Sequence, residues 1–401
     1  MPYSLVKSNK YNHNLYLSLI YILWLLSIFS YFFLDDYIKA GNLEEGVKLG
    51  NDSYFYLRES KNILNGESSF LDYKSKFGYL LFLIPFLYFD LPLICVVFFQ
   101  IFLTAVGSFC LYKITEKYFG KLSGLICISL FLFYFPIQIR NFYILTEMVF
   151  IDLSLILIYF VNFFKKQYIP IIILLLAALV TIRPNGILFL FSFVFCTLNF
   201  LIKNKKKLFF MFYIIMLLIL ILPIYNILNA YMRDLNLIEQ LNKGIIWGWS
   251  FENKTICKQL CLGTELIDNN YPNTLLGYFQ FILINFYEYF KIFFLKIFWL
   301  IARARPYYSD LHNYYILFFN FILYPSFIYG FLKRPKNNFS MEIILLFIMF
   351  SIVLVGLTFA DWSGRFSIYF LPFVMIFSSY GILIFVKKIL KMVNQKRNNA
   401  F

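Results

Sequence analysis

The sequence predicts an all-α, polytopic integral membrane protein. Hydrophobic residues make up 61% of the 401 residues and charged residues only 14%, and the mean hydropathy is +0.72. Soluble domains are far less apolar. A helix crosses a bilayer with roughly 20 mainly apolar residues, and lipid cannot satisfy open backbone groups. The repeated apolar runs of this chain therefore predict membrane-spanning helices.

Ten apolar runs are predicted to span the membrane. They are 15–34, 91–112, 122–138, 148–164, 168–182, 186–202, 208–228, 314–331, 341–359 and 366–386. Two further apolar stretches, 77–89 and 278–301, need a separate placement. The first is short for a span. The second is interrupted by Glu288, Lys291 and Lys296, which predicts a solvent-facing stripe along a helix.

The distribution of basic residues orients the spans. If neither extra stretch crosses, the segments on the side of the N-terminus hold 19 of the 36 Lys and Arg residues. If one of them crosses alone, the lysine clusters that follow it move to the opposite face. Because cytoplasmic loops carry an excess of Lys and Arg, we expect ten spans in the cell or inner membrane, with both termini cytoplasmic. The two extra stretches are then amphipathic helices at the outer surface. No small-residue cleavage site follows the first span, which predicts a signal anchor.

The net charge of +15 would indicate a nucleic-acid partner in a soluble protein. In a membrane protein the inner basic loops explain it, and we expect membrane lipids and no nucleic acid as partners. The inner loops are too short for a nucleotide-binding domain, and the sequence has no Gly-rich phosphate loop. Functional chemistry is therefore expected on the outer face.

Charged side chains lie beside several spans on this outer face. They are Asp52, Glu147, Lys74, Lys76, Arg183 and Arg365. Ionisable groups at membrane depth are costly and usually functional. Carboxylates together with several cations suit the attack of a hydroxyl or amine on a lipid-borne phosphosugar. One carboxylate accepts the proton of the acceptor, and Arg and Lys stabilise the departing phosphate.

Each of these residues also has a structural explanation. Asp52 and Glu147 could cap their helices, since acidic residues favour helix N-termini. Arg183 and Arg365 could extend to the lipid headgroups. Asp152 lies inside a span, where it could be a polar contact between helices. The sequence leaves these alternatives open.

The sequence predicts no cofactor. No group of His, Cys and Asp has metal-ligand spacing, although a divalent cation held by the outer carboxylates stays an alternative. Four cysteines lie in predicted spans and are expected to be packing residues. Cys257 and Cys261 lie in the outer segment, where a local disulfide would depend on an oxidising compartment.

Five short motifs follow one another along the chain. They are "DSYFY" with "ILNG" (Asp52, Tyr56, Gly66), Lys74 with Gly78 and Tyr79, Pro136 with "LTE" ending at Glu147, "RPNG" starting at Arg183, and "RFSIYFLP" from Arg365 to Pro372. In this order they resemble the C-type (GT-C) membrane glycosyltransferases, in the branch of the protein mannosyltransferases and the lipid A aminoarabinose transferase. A departure from that pattern, "KSKF" in place of "KPP", divides the phosphate role between Lys74 and Lys76.

The resemblance implies a GT-C fold, with Asp52 as general base and Glu147 as the second acidic position. It implies phosphate or substrate binding by Tyr56, Lys74, Lys76, Arg183 and Arg365. Arg303 and Arg305 are secondary phosphate candidates, with a headgroup-facing role as the alternative. The implied domains are a catalytic module (1–230, with an outer loop at 35–90), an outer segment (231–313) and C-terminal spans with a basic tail (314–401).

The expected function is transfer of a sugar from a polyprenyl-phosphate donor to a cell-envelope lipid, glycan or protein acceptor on the outer face. A lipid-linked sugar transporter or flippase is the main alternative, but transporters usually show internal repeats, and we find none in the sequence. A noncatalytic membrane assembly factor is a third possibility. It predicts no dependence of function on Asp52, Glu147 or Arg183.

Overall fold

The computed structural model describes residues 10–34, 43–44, 47–68, 76–203, 229, 238, 241, 247–248, 271–305, 308–335, 338–358, 360–361 and 364–398. Most of these residues are helical, as predicted. The first nine helices are α1 (Lys10–Leu34), α2 (Asn51–Leu64), α3 (Phe77–Tyr88), α4 (Ile94–Phe119), α5 (Lys121–Leu132), α6 (Phe135–Gln138), α7 (Thr146–Asn162), α8 (Ile169–Ile182) and α9 (Gly186–Lys203). They are followed by α10 (Leu275–Ile284), α11 (Phe286–Ala302), α12 (Asp310–Leu332), α13 (Phe339–Leu357), α14 (Arg365–Ile368) and α15 (Leu371–Asn398).

Short strands and 3-10 turns complete the described elements. β1 (Leu43–Glu44) pairs antiparallel with β2 (Val47–Lys48), and β3 (Trp247–Gly248) pairs parallel with β4 (Ala360–Asp361). Ile139–Phe142 and Lys166–Tyr168 form 3-10 turns.

Among the described residues, five helices are long and apolar enough to cross a membrane, namely α4, α9, α12, α13 and α15. A sixth span results if α5 and the bent segment after it are counted as one. The protein is therefore all-α and membrane-embedded. The predicted run 208–228 lies outside the described residues, and the total of ten spans stays a prediction.

Two predicted spans, 122–138 and 366–386, are interrupted. α5 ends before α6 begins, and the axis bends by 59° between α5 and Phe135–Phe142. Likewise, two residues separate the end of α14 at Ile368 from the beginning of α15 at Leu371. In both cases a proline, Pro136 or Pro372, stands four residues after the last residue of the earlier helix. Proline has no N–H to donate to that residue's carbonyl, which favours a break at these two places. It does not break every helix, since α3 and α12 continue through Pro85 and Pro325.

The prediction of one amphipathic helix with a solvent-facing stripe over 278–301 is wrong in two respects. The segment forms two helices, α10 and α11, separated at Asn285, whose side chain donates to the carbonyl of Phe281 at 3.2 Å. Lys296, predicted to face water, is 1% exposed. Spacing along the sequence shows which residues share a helix face, but not which of them the rest of the chain covers.

The chain divides into two compact units. The first comprises Met1–Phe189, Ile322–Ser340 and Leu371–Phe401, and the second comprises Leu190–Phe321 and Met341–Phe370. In the first unit α4 packs against α5 and α7, α7 against α8, α8 against α3, and α3 against α2. This chain of contacts brings the N-termini of α2 and α7 and the C-terminus of α8 into one unit.

In the second unit the apolar core lies around α10 and α11. Its buried members are Ile238, Leu241, Tyr278, Phe281, Tyr289 and Ile292. The hydroxyl groups of Tyr278 and Tyr289 lie 2.5 Å apart, and Tyr278 also donates to the carbonyl of Leu357. These bonds attach α10 and α11 to the end of α13.

Candidate functional site

Tyr56 is the centre of a polar cluster in the first unit. Its hydroxyl hydrogen-bonds Thr146 and lies within electrostatic reach of Arg183, Glu147 and Asp52. Burial raises the pKa of the Tyr56 hydroxyl above its usual range; the Arg183 guanidinium opposes this shift, whereas the two carboxylates add to it. Residues from α2, α7 and the end of α8 therefore meet at one phenol.

Asp52 is held at the beginning of α2, but it is not the helix cap. Gly50 occupies the N-cap position, and its N–H donates to the Ser53 hydroxyl at 3.1 Å. Asp52 lies in the first helical turn, where its charge is favourable. Just before α2, Lys48 forms a parallel bridge with Tyr143. This bridge joins the start of α2 to the segment that leads into α7.

Glu147 forms an ion pair with Arg183. The distance from Arg183 Nη1 to Glu147 Oε1 is 3.3 Å, and the side chains are 16% and 1% exposed, respectively. The same Nη1 donates to the Thr146 hydroxyl. Leu145 occupies the N-cap position of α7, and Glu147 lies in the first helical turn. The guanidinium of Arg183 thus points into the protein and does not extend to headgroups.

The turn between α8 and α9 determines the position of Arg183. Arg183 has an extended backbone (φ −149°, ψ 145°), as expected for a residue before proline. At Gly186 an added Cβ would lie 2.2 Å from the carbonyl oxygen of Leu179. Only glycine allows the start of α9 to approach the last turn of α8 so closely.

An aromatic ring and a lysine contact the ring of Tyr56. The ring of Tyr79 meets Tyr56 edge-on with centroids 5.0 Å apart, and Lys76 Nζ lies 5.3 Å from the Tyr56 centroid. Gly78 permits the close approach of α3 to the end of α8, because a Cβ there would lie 2.4 Å from the Thr181 hydroxyl. Lys74, the other predicted lysine, lies outside the described residues.

The second unit contains a separate cluster of cations. Arg303 ends α11 in the left-handed conformation (φ 57°), and both Arg303 and Arg305 are buried. A Cβ added to Gly364 would lie 3.7 Å from Arg303 Nε and 4.0 Å from Arg305 Nη2. Arg365 directly follows Gly364 and begins α14. The three arginines are therefore neighbours, and neither Arg303 nor Arg305 is a surface side chain that reaches headgroups.

Lys296 of α11 is a further buried cation in this unit. Its ammonium group donates to the backbone carbonyl of Thr358. Burial lowers the pKa of the Lys296 ammonium to about 7. The spacing of Lys296 with Glu288 and Lys291 predicts solvent exposure, so the sequence does not indicate a site at this residue.

Tyr79 belongs to a predicted motif, but the glutamine that holds it in place was not predicted as part of the site. Tyr79 donates to Gln100 Oε1 at 3.3 Å, and Gln100 Nε2 donates to the carbonyls of Asn141 and Tyr143, both at 2.9 Å. An isolated glutamine in an apolar run was the one sequence signal for this support. Among the described residues, no three His, Cys, Asp or Glu side chains come together to hold a metal ion.

Chemically, the Tyr56 cluster combines a partly exposed carboxylate, a guanidinium and a phenol. Such a set can accept a proton and bind an anion. The sequence matches no family model, and comparisons with curated proteins and with solved structures give no match.

Proposed function

We propose that this protein is a GT-C-type glycosyltransferase that uses a polyprenyl-phosphate sugar as donor. The observation that carries the proposal is the meeting of Asp52, Tyr56, Glu147 and Arg183, from three distant parts of the sequence, in one cluster. We further propose ten spans with cytoplasmic termini, which put this cluster on the outer face. The acceptor is a lipid, glycan or protein of the cell envelope.

In the proposed reaction Asp52 takes the proton of the acceptor hydroxyl or amine. The acceptor atom forms a bond to the anomeric carbon as the bond from that carbon to the phosphate oxygen breaks, through an oxocarbenium-like state with inversion. The electron pair leaves with polyprenyl phosphate. That product carries more negative charge than the donor, so a cation beside the phosphate lowers the barrier.

The two carboxylates are suited to different tasks. Glu147 is buried and paired with Arg183, which suits it to orient the guanidinium. Asp52 is partly exposed in the first turn of α2, which suits it to meet an incoming acceptor. Within the first unit, Lys76 and Arg183 are proposed to contact the donor phosphate. In the second unit, Arg303, Arg305 and Arg365 are proposed as secondary phosphate-binding residues.

The test incubates the purified protein with undecaprenyl- and dolichyl-phosphate hexoses and pentoses, with native membranes as the source of acceptor. The release of labelled polyprenyl phosphate is measured. Asp52→Asn is expected to reduce release by at least a hundredfold while the folded protein stays abundant, since a general base contributes roughly 10²–10⁴-fold. Asp90→Asn, an exposed acid in the loop after α3, is the matched control and should keep wild-type activity. Full release by Asp52→Asn would refute the assignment of Asp52. Transport of the intact donor without release would favour the flippase alternative.

A further inference from the structure

The first unit contains a continuous chain of buried polar side chains, each hydrogen-bonded to the next. This chain connects α1, α4, α6, the following 3-10 turn and α7. Its members are Trp24, Gln138, Asn141, Thr104 and Asp152. Every hydrogen in this chain can be assigned, because it begins at a group that only donates.

The assignment starts at the indole of Trp24. Its Nε1 can only donate, so the Gln138 atom 3.2 Å away is the amide oxygen. The other end of that amide lies 3.0 Å from the carbonyl of Phe131 and must donate. The Asn141 atom 3.3 Å from Gln138 Oε1 must therefore be the nitrogen. The oxygen of Asn141 consequently faces Thr104.

Thr104 has one hydroxyl proton but two oxygen neighbours. Its Oγ1 lies 2.9 Å from Asn141 Oδ1 and 2.8 Å from Asp152 Oδ2. Asn141 Oδ1 carries no hydrogen, so the Thr104 proton belongs to that contact. The contact with Asp152 is a hydrogen bond only if the carboxyl group supplies the second proton.

We infer that Asp152 is a neutral carboxylic acid that donates its proton to Thr104, and that this bond positions the 138–143 segment beside the Tyr56 cluster. The inference does not depend on the proposed glycosyltransferase activity. It makes Asp152 a positioning residue, without contact to any substrate.

The surroundings of Asp152 support the neutral form. Asp152 is 0% exposed, and its Oδ1 accepts no hydrogen bond. This oxygen lies against α4 at Gly107, where an added Cβ would come within 2.6 Å of it. A buried, unpaired carboxylate is far more costly than a neutral acid whose carbonyl oxygen faces apolar groups.

No cation balances a charge at this position in the described part of the chain. The ionisable groups on α4, the 3-10 turn and α8, which pack on α7, are Cys95, Cys110, Tyr112, Lys113, Glu116, Lys117 and Tyr118 of α4 and Arg140 of the turn. Of these, the Cys110 thiol interacts electrostatically with Asp152. An interacting thiol cannot stabilise a carboxylate by ion pairing.

The proton on Asp152 has a structural consequence at the site. Thr104 donates to the side-chain oxygen of Asn141 and so holds this residue in place. The backbone carbonyl of Asn141 can then accept from Gln100 Nε2. Gln100 in turn accepts from Tyr79, which packs on Tyr56. The buried acid therefore supports the segment that leads into α7.

Infrared spectroscopy of the purified full-length protein in an ester-free detergent tests the inference directly. At pH 8, wild-type protein with carboxyl-¹³C aspartate should show an isotope-sensitive carbonyl band of a protonated acid, well separated from carboxylate bands. The band should disappear in Asp152→Asn, whose amide N–H can replace the carboxyl donor. Absence of the band in wild type, or its persistence in Asp152→Asn, would overturn the inference. The wild-type measurement decides even if the variant does not fold.

A matched pair of threonine variants tests the partner. Thr104→Val should shift the carbonyl band, because the acid loses its acceptor. Thr115→Val removes another buried hydroxyl of α4, one that donates to the carbonyl of Leu111, and should leave the band unchanged. An unshifted band in Thr104→Val would contradict the assigned bond.

Proton linkage gives an independent measurement. The unfolded chain releases this proton above a pH of about 4, so folding takes one proton up. The unfolding equilibrium constant of the wild type, relative to Asp152→Asn, should then rise about tenfold per pH unit between pH 6 and pH 8. It can be measured by titration of the protein from mild detergent into dodecyl sulfate. A ratio that does not change with pH would show that native Asp152 is ionised.

Discussion

At the residue scale, the Glu147–Arg183 pair determines where the guanidinium of the candidate site points. Both side chains are mostly covered by protein. A pair of this kind stabilises little by itself, but removal of one partner leaves a buried charge. Arg183→Met is therefore expected to lower the free energy of unfolding by about 3 kcal/mol. Denaturant titration in detergent measures the loss.

A double-mutant cycle separates this ion pair from the other contacts of its members. Glu147→Gln combined with Arg183→Met should be more stable than Arg183→Met alone, because the unpaired carboxylate is gone. The partly exposed Glu288–Lys291 pair, with an N–O distance of 3.7 Å, is the control; its coupling should stay below about 1 kcal/mol. Equal stability of Arg183→Met and the double variant would contradict the assigned pairing.

The sequence predicts the local structure of a residue where that structure depends on its neighbours along the chain. Asp52 and Glu147 were predicted at the starts of helices, and α2 and α7 do begin immediately before them. The extended conformation of Arg183 follows from Pro184 alone. Burial of Lys296 depends instead on the segment around Thr358, 62 residues away along the chain. No spacing rule within α11 contains that information.

At the scale of elements, close helix contacts at glycine position the candidate site. Gly186→Ala would force a Cβ to within 2.2 Å of the Leu179 carbonyl oxygen, so α8 and α9 must separate. Overpacking of this kind costs typically about 1–3 kcal/mol, and we expect a loss of thermal stability in detergent together with reduced activity. Wild-type stability of Gly186→Ala would rule out this close approach of α8 and α9.

The buried Lys296 makes the stability of the second unit depend on pH. Its pKa is about 7 in the folded protein and about 10.4 when exposed. Between these values the unfolded state binds more protons, so wild-type stability rises with pH, by at most about 1.4 kcal/mol per pH unit. Below pH 7 both states are charged and the full cost of burial remains.

Lys296→Met removes this dependence. The variant should be more stable than wild type at pH 6, and its advantage should shrink as the pH rises to 9. Thermal midpoints at both pH values measure the effect. The exposed Lys291 on the same helix supplies the control, Lys291→Met, for which no such change with pH is expected. A constant difference between Lys296→Met and wild type would mean that Lys296 is not desolvated.

At the scale of the whole molecule, apolar length predicted the helices well, whereas their interruptions needed more specific information. The five described helices that are long enough to span overlap predicted runs, although α15 begins at Leu371 and continues to Asn398, where the sequence predicted 366–386. A missing N–H donor contributes to the breaks before Pro136 and Pro372, but proline alone does not predict them, since α3 and α12 continue through Pro85 and Pro325. The break at Asn285 could not be predicted either, because it depends on a side chain that bonds the backbone of the preceding turn.

The predicted orientation of the spans rests on charge asymmetry alone. With both termini cytoplasmic and α3 lying at the outer surface, the loop before α3 and the loop after it face the same outer side. Glu67→Cys and Phe89→Cys should therefore both react with a membrane-impermeant maleimide on intact cells. Lys166→Cys, in the turn between α7 and α8, should react after permeabilisation only. All three native positions are exposed, so access depends on membrane side and not on burial, provided that the native cysteines are first replaced.

The pattern of labelling distinguishes the possible errors. Reaction at position 67 but not at 89 on intact cells would show that α3 crosses the membrane, and the lysine clusters after it would then lie outside. Reaction at 166 alone would invert the whole protein and place the Tyr56 cluster on the cytoplasmic face. A donor carried by an outer-leaflet lipid could not reach it there. Outer labelling at 67 and 89 together with protected 166 puts Asp52 on the face where the proposed reaction needs it.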